Sequence, residues 1–179
     1  MENNKGFTLI ELLAAILIVS LVSGGLVTGI VLSNNQYKNS IRQSEANELY
    51  NTISSLLTNE LKYTNKIKMD ETTKEVKSFK SISYQIDESS LCTIYVLYES
   101  GYPAGDNYGR IALGDNDKKN YLLGNAAYTN DLGAKIHSIT YDRTQKLFTV
   151  DLDIGYNDKS IVRNEFNVRA LNWVTVDGE

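Results

Sequence analysis

From Phe7 onward the chain is apolar for about 26 residues, within the stretch Lys5 to Leu32, KGFTLIELLAAILIVSLVSGGLVTGIVL. A run of that length crosses the ~30 Å hydrocarbon core of a bilayer as one helix with some tilt. It makes the chain a membrane-anchored one, with any globular part placed after the run. Glu11 interrupts it. A carboxylate inside a spanning helix is costly, and such a residue is read as functional by default.

The residues around Glu11 form a pattern. A short polar leader ends in Lys5-Gly6, Phe7 follows, and Thr8-Leu9-Ile10-Glu11-Leu12 runs into the apolar sequence. This resembles the processing and assembly signal of type IV pilins and type II secretion pseudopilins. The resemblance covers roughly the first 32 residues and implies that a prepilin peptidase cuts between Gly6 and Phe7 and N-methylates Phe7. It also implies a partner for Glu11: the amine of Phe7 on a neighbouring subunit, two charges that neutralise each other only when subunits stack. Two plainer readings fit less well. A secretory signal peptide has an apolar region of about 7–15 residues and a small-residue cut site, and neither is found here. A plain signal anchor leaves Glu11 and the Lys5-Gly6-Phe7 junction as coincidences.

The 179 residues hold one spanning segment and enough further chain for one modest globular domain. The net charge of -4 argues against a basic nucleic-acid surface, so no nucleic-acid partner is expected. Cys92 is the single cysteine, which excludes an internal disulfide. Many Gram-negative pilins carry a C-terminal disulfide loop. Its absence, with an Asn- and Lys-rich composition and one proline, suggests a low-GC Gram-positive source.

In chain order, Met1 to Gly6 reads as a leader and residues 7–32 as the transmembrane and assembly half of a helix. Lys5 is offset by Glu2, while Lys38 and Arg42 follow the run, so flanking charge does not set orientation; the resemblance implies a cytoplasmic N-terminus. Gly24, Gly25 and Gly29 cluster in the run, and Gly25-Leu-Val-Thr-Gly29 is a GxxxG that serves close helix packing or local flexibility. Major pilins often have a proline in this neighbourhood. Its replacement by glycines and Thr28 tilts the reading toward a minor subunit.

Beyond Leu32, Tyr37, Ile41, Leu49, Ile53, Leu56, Leu57 and Leu61 recur at helical spacing, with Lys38, Arg42, Glu45, Glu48 and Glu60 mostly off the stripe. One helix to about Asn65 is predicted, roughly 90 Å long, with 33–65 as its amphipathic half packed on a domain of residues 66–179.

Lys66 to Lys80 reads as a charged linker. Ile82, Tyr84 and Ile86 alternate as a strand ended by a turn at Asp87 to Ser90, and Leu91 to Glu99 reads as a central strand apolar on both faces. Short strands are expected at Arg110 to Leu113 and Tyr121 to Leu123, with loops at Ser100 to Gly109 and Gly124 to Gly133, and a further strand at Ala134 to Asp142. The clearest hairpin sets Phe148, Val150, Leu152 and Ile154 against Val162, Phe166, Val168 and Ala170 around Asn157-Asp158-Lys159. A three-residue loop puts Ile154 opposite Val162 and Asp153 opposite Arg163, an ion pair on the polar face. The expected fold class is α+β: the pilin fold, one long N-terminal helix packed on a C-terminal antiparallel β-sheet.

Little of the chain suggests catalysis. His137 is the lone histidine, which excludes a multi-histidine metal site, and its parity with Ile139 and Tyr141 places it on a partly buried strand position. Cys92 reads as a buried, inert thiol. Asp115-Asn116-Asp117 resembles a calcium loop only until Lys118 and Lys119 follow, so it reads as a solvated turn. Tyr102, Tyr108 and Tyr128 in loops are candidates for an adhesive surface. No catalytic residue, metal or cofactor is expected. The expected function is a minor pilin assembled into an extracellular type IV pilus. Its partners would be other pilin subunits, the prepilin peptidase, the membrane platform protein of the assembly machine and, before assembly, the membrane. The rivals are a pseudopilin of a type II secretion or competence system and a membrane-anchored adhesin.

Overall fold

A computed structural model of the chain describes residues 8–70, 72–81, 91–97, 107–115 and 118–177. The chain divides into two units, Met1–Arg42 and Gln43–Glu179. One helix, α1 (Leu9–Tyr63), runs through the boundary. No proline interrupts it, and its commonest residue is Leu, which loses little on entering a helix.

In the first unit no described residue before Ile41 is buried, and Leu9, Leu13, Leu17, Leu21 and Val27 all stand open. This part of α1 is long and apolar enough to cross a membrane. Ser20 and Thr28 satisfy their hydroxyls inside the helix, donating to the carbonyls of Ile16 at 2.8 Å and Gly24 at 3.0 Å, which lets polar side chains reside in an apolar surface.

In the second unit, Ala46, Leu49, Ile53, Leu57 and Leu61 are buried, three or four residues apart. The amphipathic stripe therefore meets a β core, starting later than expected: Tyr37 is exposed and Ile41 half-buried. Tyr50 stands edge-on to Phe166 with ring centroids 6.3 Å apart, and the core continues through Ile67, Phe79, Ile111, Leu132, Phe148, Val150, Leu152 and Ile154. Glu60, expected off the stripe, is instead buried; it accepts a hydrogen bond of 2.7 Å from Ser81, itself buried.

Nine strands are found among the described residues, in three small sheets. The first joins β1 (Lys66–Met69) to β2 (Val76–Phe79) and β9 (Thr175–Val176) in the order β2-β1-β9. The second is β3 (Thr93–Leu97), β4 (Arg110–Gly114) and β5 (Lys119–Tyr121); the third is β6 (Gly133–Asp142), β7 (Leu147–Tyr156) and β8 (Lys159–Arg169). Single bridges stitch them together, Phe79 to Cys92, Gly109 to Ala134 and Glu75 to Thr140. The architecture is α+β, a long N-terminal helix followed by antiparallel sheets, with one parallel pair, β1 to β9.

Three expectations need correcting. Lys66 to Lys80 is a hairpin, not a linker: Ile67 and Phe79 pair and are buried, while Asp70 accepts from the amides of Thr72 and Thr73 to close the turn. Few large apolar residues suffice because the charged ones face solvent. The strand from Leu91 is an edge strand, half-buried along β3; the strand central to its sheet and buried on both faces is β7. At the main hairpin the expected register holds, Ile154 to Val162 and Asp153 to Arg163. Yet the turn has two residues, Asn157 and Asp158 at φ 47° and 57°, the positive values a tight hairpin turn demands. A bulge at Ile154/Gly155 restores the register. The proposed strand at Ile82 to Ile86 and its turn lie outside the described residues.

Candidate functional site

The start of α1 is built by its own sequence. Thr8 precedes the helix, and its hydroxyl accepts from the amide of Glu11 at 3.4 Å. Glu11 reaches back, its Oε2 accepting from the Thr8 amide at 2.9 Å and the Thr8 hydroxyl at 2.8 Å. This is a capping box, in which a Thr and the Glu three residues on satisfy each other's free amides, and the acid also favours the positive end of the helix. Thr8-x-x-Glu11 is its sequence signature, a reading of Glu11 that periodicity and hydropathy pass over. Gly6 and Phe7 lie outside the described residues, so the junction beside the box has no geometry here.

Further along, Gly24, Gly25 and Gly29 are exposed, and a Cβ added at any of them would meet nothing within 4 Å. Nothing among the described residues requires glycine there. Gly25 and Gly29, one turn apart, floor a shallow groove flanked by Leu26, Ile30, Ser33 and Tyr37, a surface on which a second helix can approach closely.

The other polar concentration lies on β7. Asp151 and Asp153 are only 8% and 3% exposed. The expected Asp153 to Arg163 ion pair is not formed. Arg163 instead grips Asp151 in a two-pronged pair, Nε at 3.1 Å and NH2 at 2.6 Å, because its fork reaches diagonally across the strands and matches a carboxylate better there. That pair holds the Asp151 carboxyl below its ordinary range and raises the guanidinium. Asp153 accepts from Ser160 at 2.7 Å and from Tyr108 at 3.0 Å, and His137 Nε2 lies 3.3 Å away. Ser160 and His137 both face Asp153, and no bond between them is seen, so the cluster lacks the nucleophile-to-base order of a hydrolase triad.

Tyr108 covers this face. Its ring lies where a Cβ on Gly155 would stand, at 2.2 to 2.5 Å, so only glycine fits. Burial and the bond to Asp153 push its phenol up to about 12. Tyr108 and Tyr128 are therefore buried, not the exposed loop tyrosines expected; Tyr128 accepts from the Ile111 amide at 3.0 Å. Tyr102 lies outside the described residues. Cys92 is buried, and its thiol is pushed up to about 11 by desolvation, an inert state. Asp115 closes a turn with Lys118, its carboxylate accepting that amide at 2.7 Å, while Asn116 and Asp117 are not described. Among the described residues no three His, Cys, Asp or Glu side chains converge on a metal position.

No curated protein and no solved structure matches the chain. Residues 1–27 match the family model of the prokaryotic N-terminal methylation motif. That stretch contains the capping box and the exposed apolar helix up to Val27. The N-terminal segment is the class III signal peptide of type IV pilins and pseudopilins, and it supports a type IV pilin-like or pseudopilin protein.

Proposed function

We propose that the protein is a minor pilin of a Gram-positive type IV pilus, a structural subunit that is cut by prepilin peptidase between Gly6 and Phe7, methylated on Phe7 and polymerised. The observation that carries this is the union of the methylation motif with a helix whose apolar first part is exposed among the described residues. Such a surface is at rest in lipid before assembly and among other helices after it. In this reading residues 7–32 anchor the subunit with its N-terminus in the cytoplasm, residues 33–65 carry the helix into the domain, and residues 66–179 form the outward globular part. Glu11 registers each subunit against the amine of Phe7 on a neighbour, exchanging its bonds to Thr8 for an ion pair. Gly24, Gly25 and Gly29 permit close helix approach, and the membrane platform protein delivers the subunit to the growing base.

A pseudopilin of a secretion or competence system shares every one of these N-terminal features. Within a pilus, Gly24, Gly25, Thr28 and Gly29 standing where major pilins often place a proline favour a minor over a major subunit. An adhesin built on loop tyrosines loses support from the burial of Tyr108 and Tyr128. The test is fractionation of living cells: the chain should appear in filaments sheared from the surface, and a chain found only in membranes while filaments are abundant would overturn the pilus reading.

A further inference from the structure

An open cleft of about 820 Å³ lies wholly within the second unit, a size that takes a small-molecule ligand. One wall is the turn between β1 and β2, with Asp70, Thr73 and Lys74; the other is the end of β6 and the turn after it, with Thr140, Asp142 and Arg143. Asp177, just past β9, closes a third side. The apolar lining, Met69, Tyr141 and Val176, is buried or half-buried, whereas Lys74, Asp142, Arg143 and Asp177 are exposed, so an apolar floor carries a polar rim. Backbone contacts hold the walls in place. Glu75 bridges to Thr140, and the Asp177 amide donates to the Ile67 carbonyl at 2.7 Å.

The acids of the rim are fixed in place. Asp70 Oδ1 accepts from the amides of Thr72 at 2.9 Å and Thr73 at 3.1 Å, and Asp142 Oδ1 from those of Thr144 at 2.8 Å and Gln145 at 3.2 Å. Asp177 Oδ1 takes Lys66 at 2.8 Å. Each carboxylate thus commits one oxygen to the protein and keeps a second as an acceptor; Lys77 Nζ stands 3.7 Å from the other oxygen of Asp70, beyond hydrogen-bond reach. Lys74, Arg143 and the hydroxyls of Thr73 and Thr140 supply donors. Such a mixed rim selects by elimination. A polyanion would meet three carboxylates, a polycation would meet Lys74 and Arg143, and an apolar ligand would strip water from polar groups it cannot pair. A sugar ring carries hydroxyls that both donate and accept around its edge and C–H groups on its faces, which suits rim and floor together. We propose that this cleft binds a neutral saccharide chain. The site gives the globular domain a function of its own, independent of the N-terminal motif.

Binding of the full-length chain, solubilised in a detergent without a sugar headgroup, to an array of neutral and acidic oligosaccharides tests this. Retention is expected on neutral oligomers. Hexose oligomers stand for the glycans of foreign surfaces and N-acetylhexosamine oligomers for wall-type glycans, and retention on either bears the proposal out. Asp70→Asn with Asp142→Asn keeps an oxygen for the turn amides and replaces the other by an NH2 donor; affinity should fall at least about tenfold, the loss expected when charge-assisted hydrogen bonds are removed. Asp115→Asn, whose turn lies outside the cleft, should bind as the wild type does. Melting temperatures separate lost binding from lost folding, and Lys74→Ala, at an exposed side chain, should weaken retention without touching either aspartate. Retention on no neutral oligomer, retention on acidic oligomers alone, wild-type binding by both the double variant and Lys74→Ala, or an equal loss in Asp115→Asn would each overturn the proposal. Chain from cells lacking the peptidase should bind equally, so the result stands apart from the fate of the N-terminus.

Discussion

Thr8 and Glu11 satisfy each other's amides at the first turn of the helix, with the Glu11 carboxylate 2.9 Å from the Thr8 amide. Glu11 thus has a local role besides any role between subunits, and the two are separable. Gln serves at this position of a capping box as Glu does, so Glu11→Gln keeps the cap and removes only the charge. The expected outcome is normal processing and membrane insertion with incorporation into sheared filaments reduced at least about tenfold, as when one member of a desolvated charge pair is removed. Thr8→Val, which weakens the cap and keeps the charge, should assemble nearly normally. Quantitative immunodetection of both variants, without the wild-type copy, checks it; wild-type incorporation of Glu11→Gln would show that the cap is the residue's whole role.

The buried face of α1 gives a stability prediction. Leu57 is fully buried, so Leu57→Ala should cost about 2–5 kcal/mol and Leu57→Asp should abolish the folded domain, since an unpaired charge would be buried. Tyr37→Ala should change little because Tyr37 is exposed. Thermal unfolding of the detergent-solubilised chain, followed by circular dichroism, distinguishes the three.

Much of this packing could be read in advance, and its failures have physical causes. Helical spacing from Leu49 to Leu61 and the alternation of Phe148 to Ile154 are local signals that burial amplifies, and the pairing of Ile154 with Val162 followed from them. Polar residues are assumed to face water, but Glu60, Asp151 and Asp153 are buried because Ser81 and Tyr108 reach Glu60 and Asp153 from outside their own elements and Arg163 reaches diagonally across the hairpin to Asp151. The Lys66 to Lys80 hairpin was hidden because its pairing with β9 comes from more than a hundred residues away. At the N-terminus the functional signal was legible as a pattern of residue types, while the capping box needed the geometry.

Tyr108 packed on Gly155 is the second stability test. Gly155→Ala forces a methyl into the ring and should destabilise the domain by about 1–3 kcal/mol, the usual cost of overpacking. Combined with Tyr108→Ala, it should cost little more than Tyr108→Ala alone, since the clash is gone. Equal additivity in the double-mutant cycle would show that the two residues do not touch.

The same tyrosine sets a pH dependence. Its phenol is raised from 10.0 to about 12 in the folded chain, so the neutral form is favoured by folding, and the stabilisation is full below pH ~10 and lost as pH rises through about 12. On the acid side the carboxyl of Asp151 is depressed by Arg163, so its stabilisation is present above pH ~4 and lost as pH falls through its folded value. Melting temperatures measured from pH 3 to 11 should fall at both ends. Tyr108→Phe should flatten the alkaline limb and Arg163→Met the acid limb; unchanged limbs would contradict these assignments.

The central claim is that the chain is processed and polymerised through its N-terminus. Mass spectrometry of filaments sheared from cells that express the peptidase reads this in one measurement. The account predicts an N-terminal peptide beginning at N-methylated Phe7, with residues 1–6 absent. Recovery from those filaments of a chain that still begins at Met1, or one cut at a different bond, would contradict it.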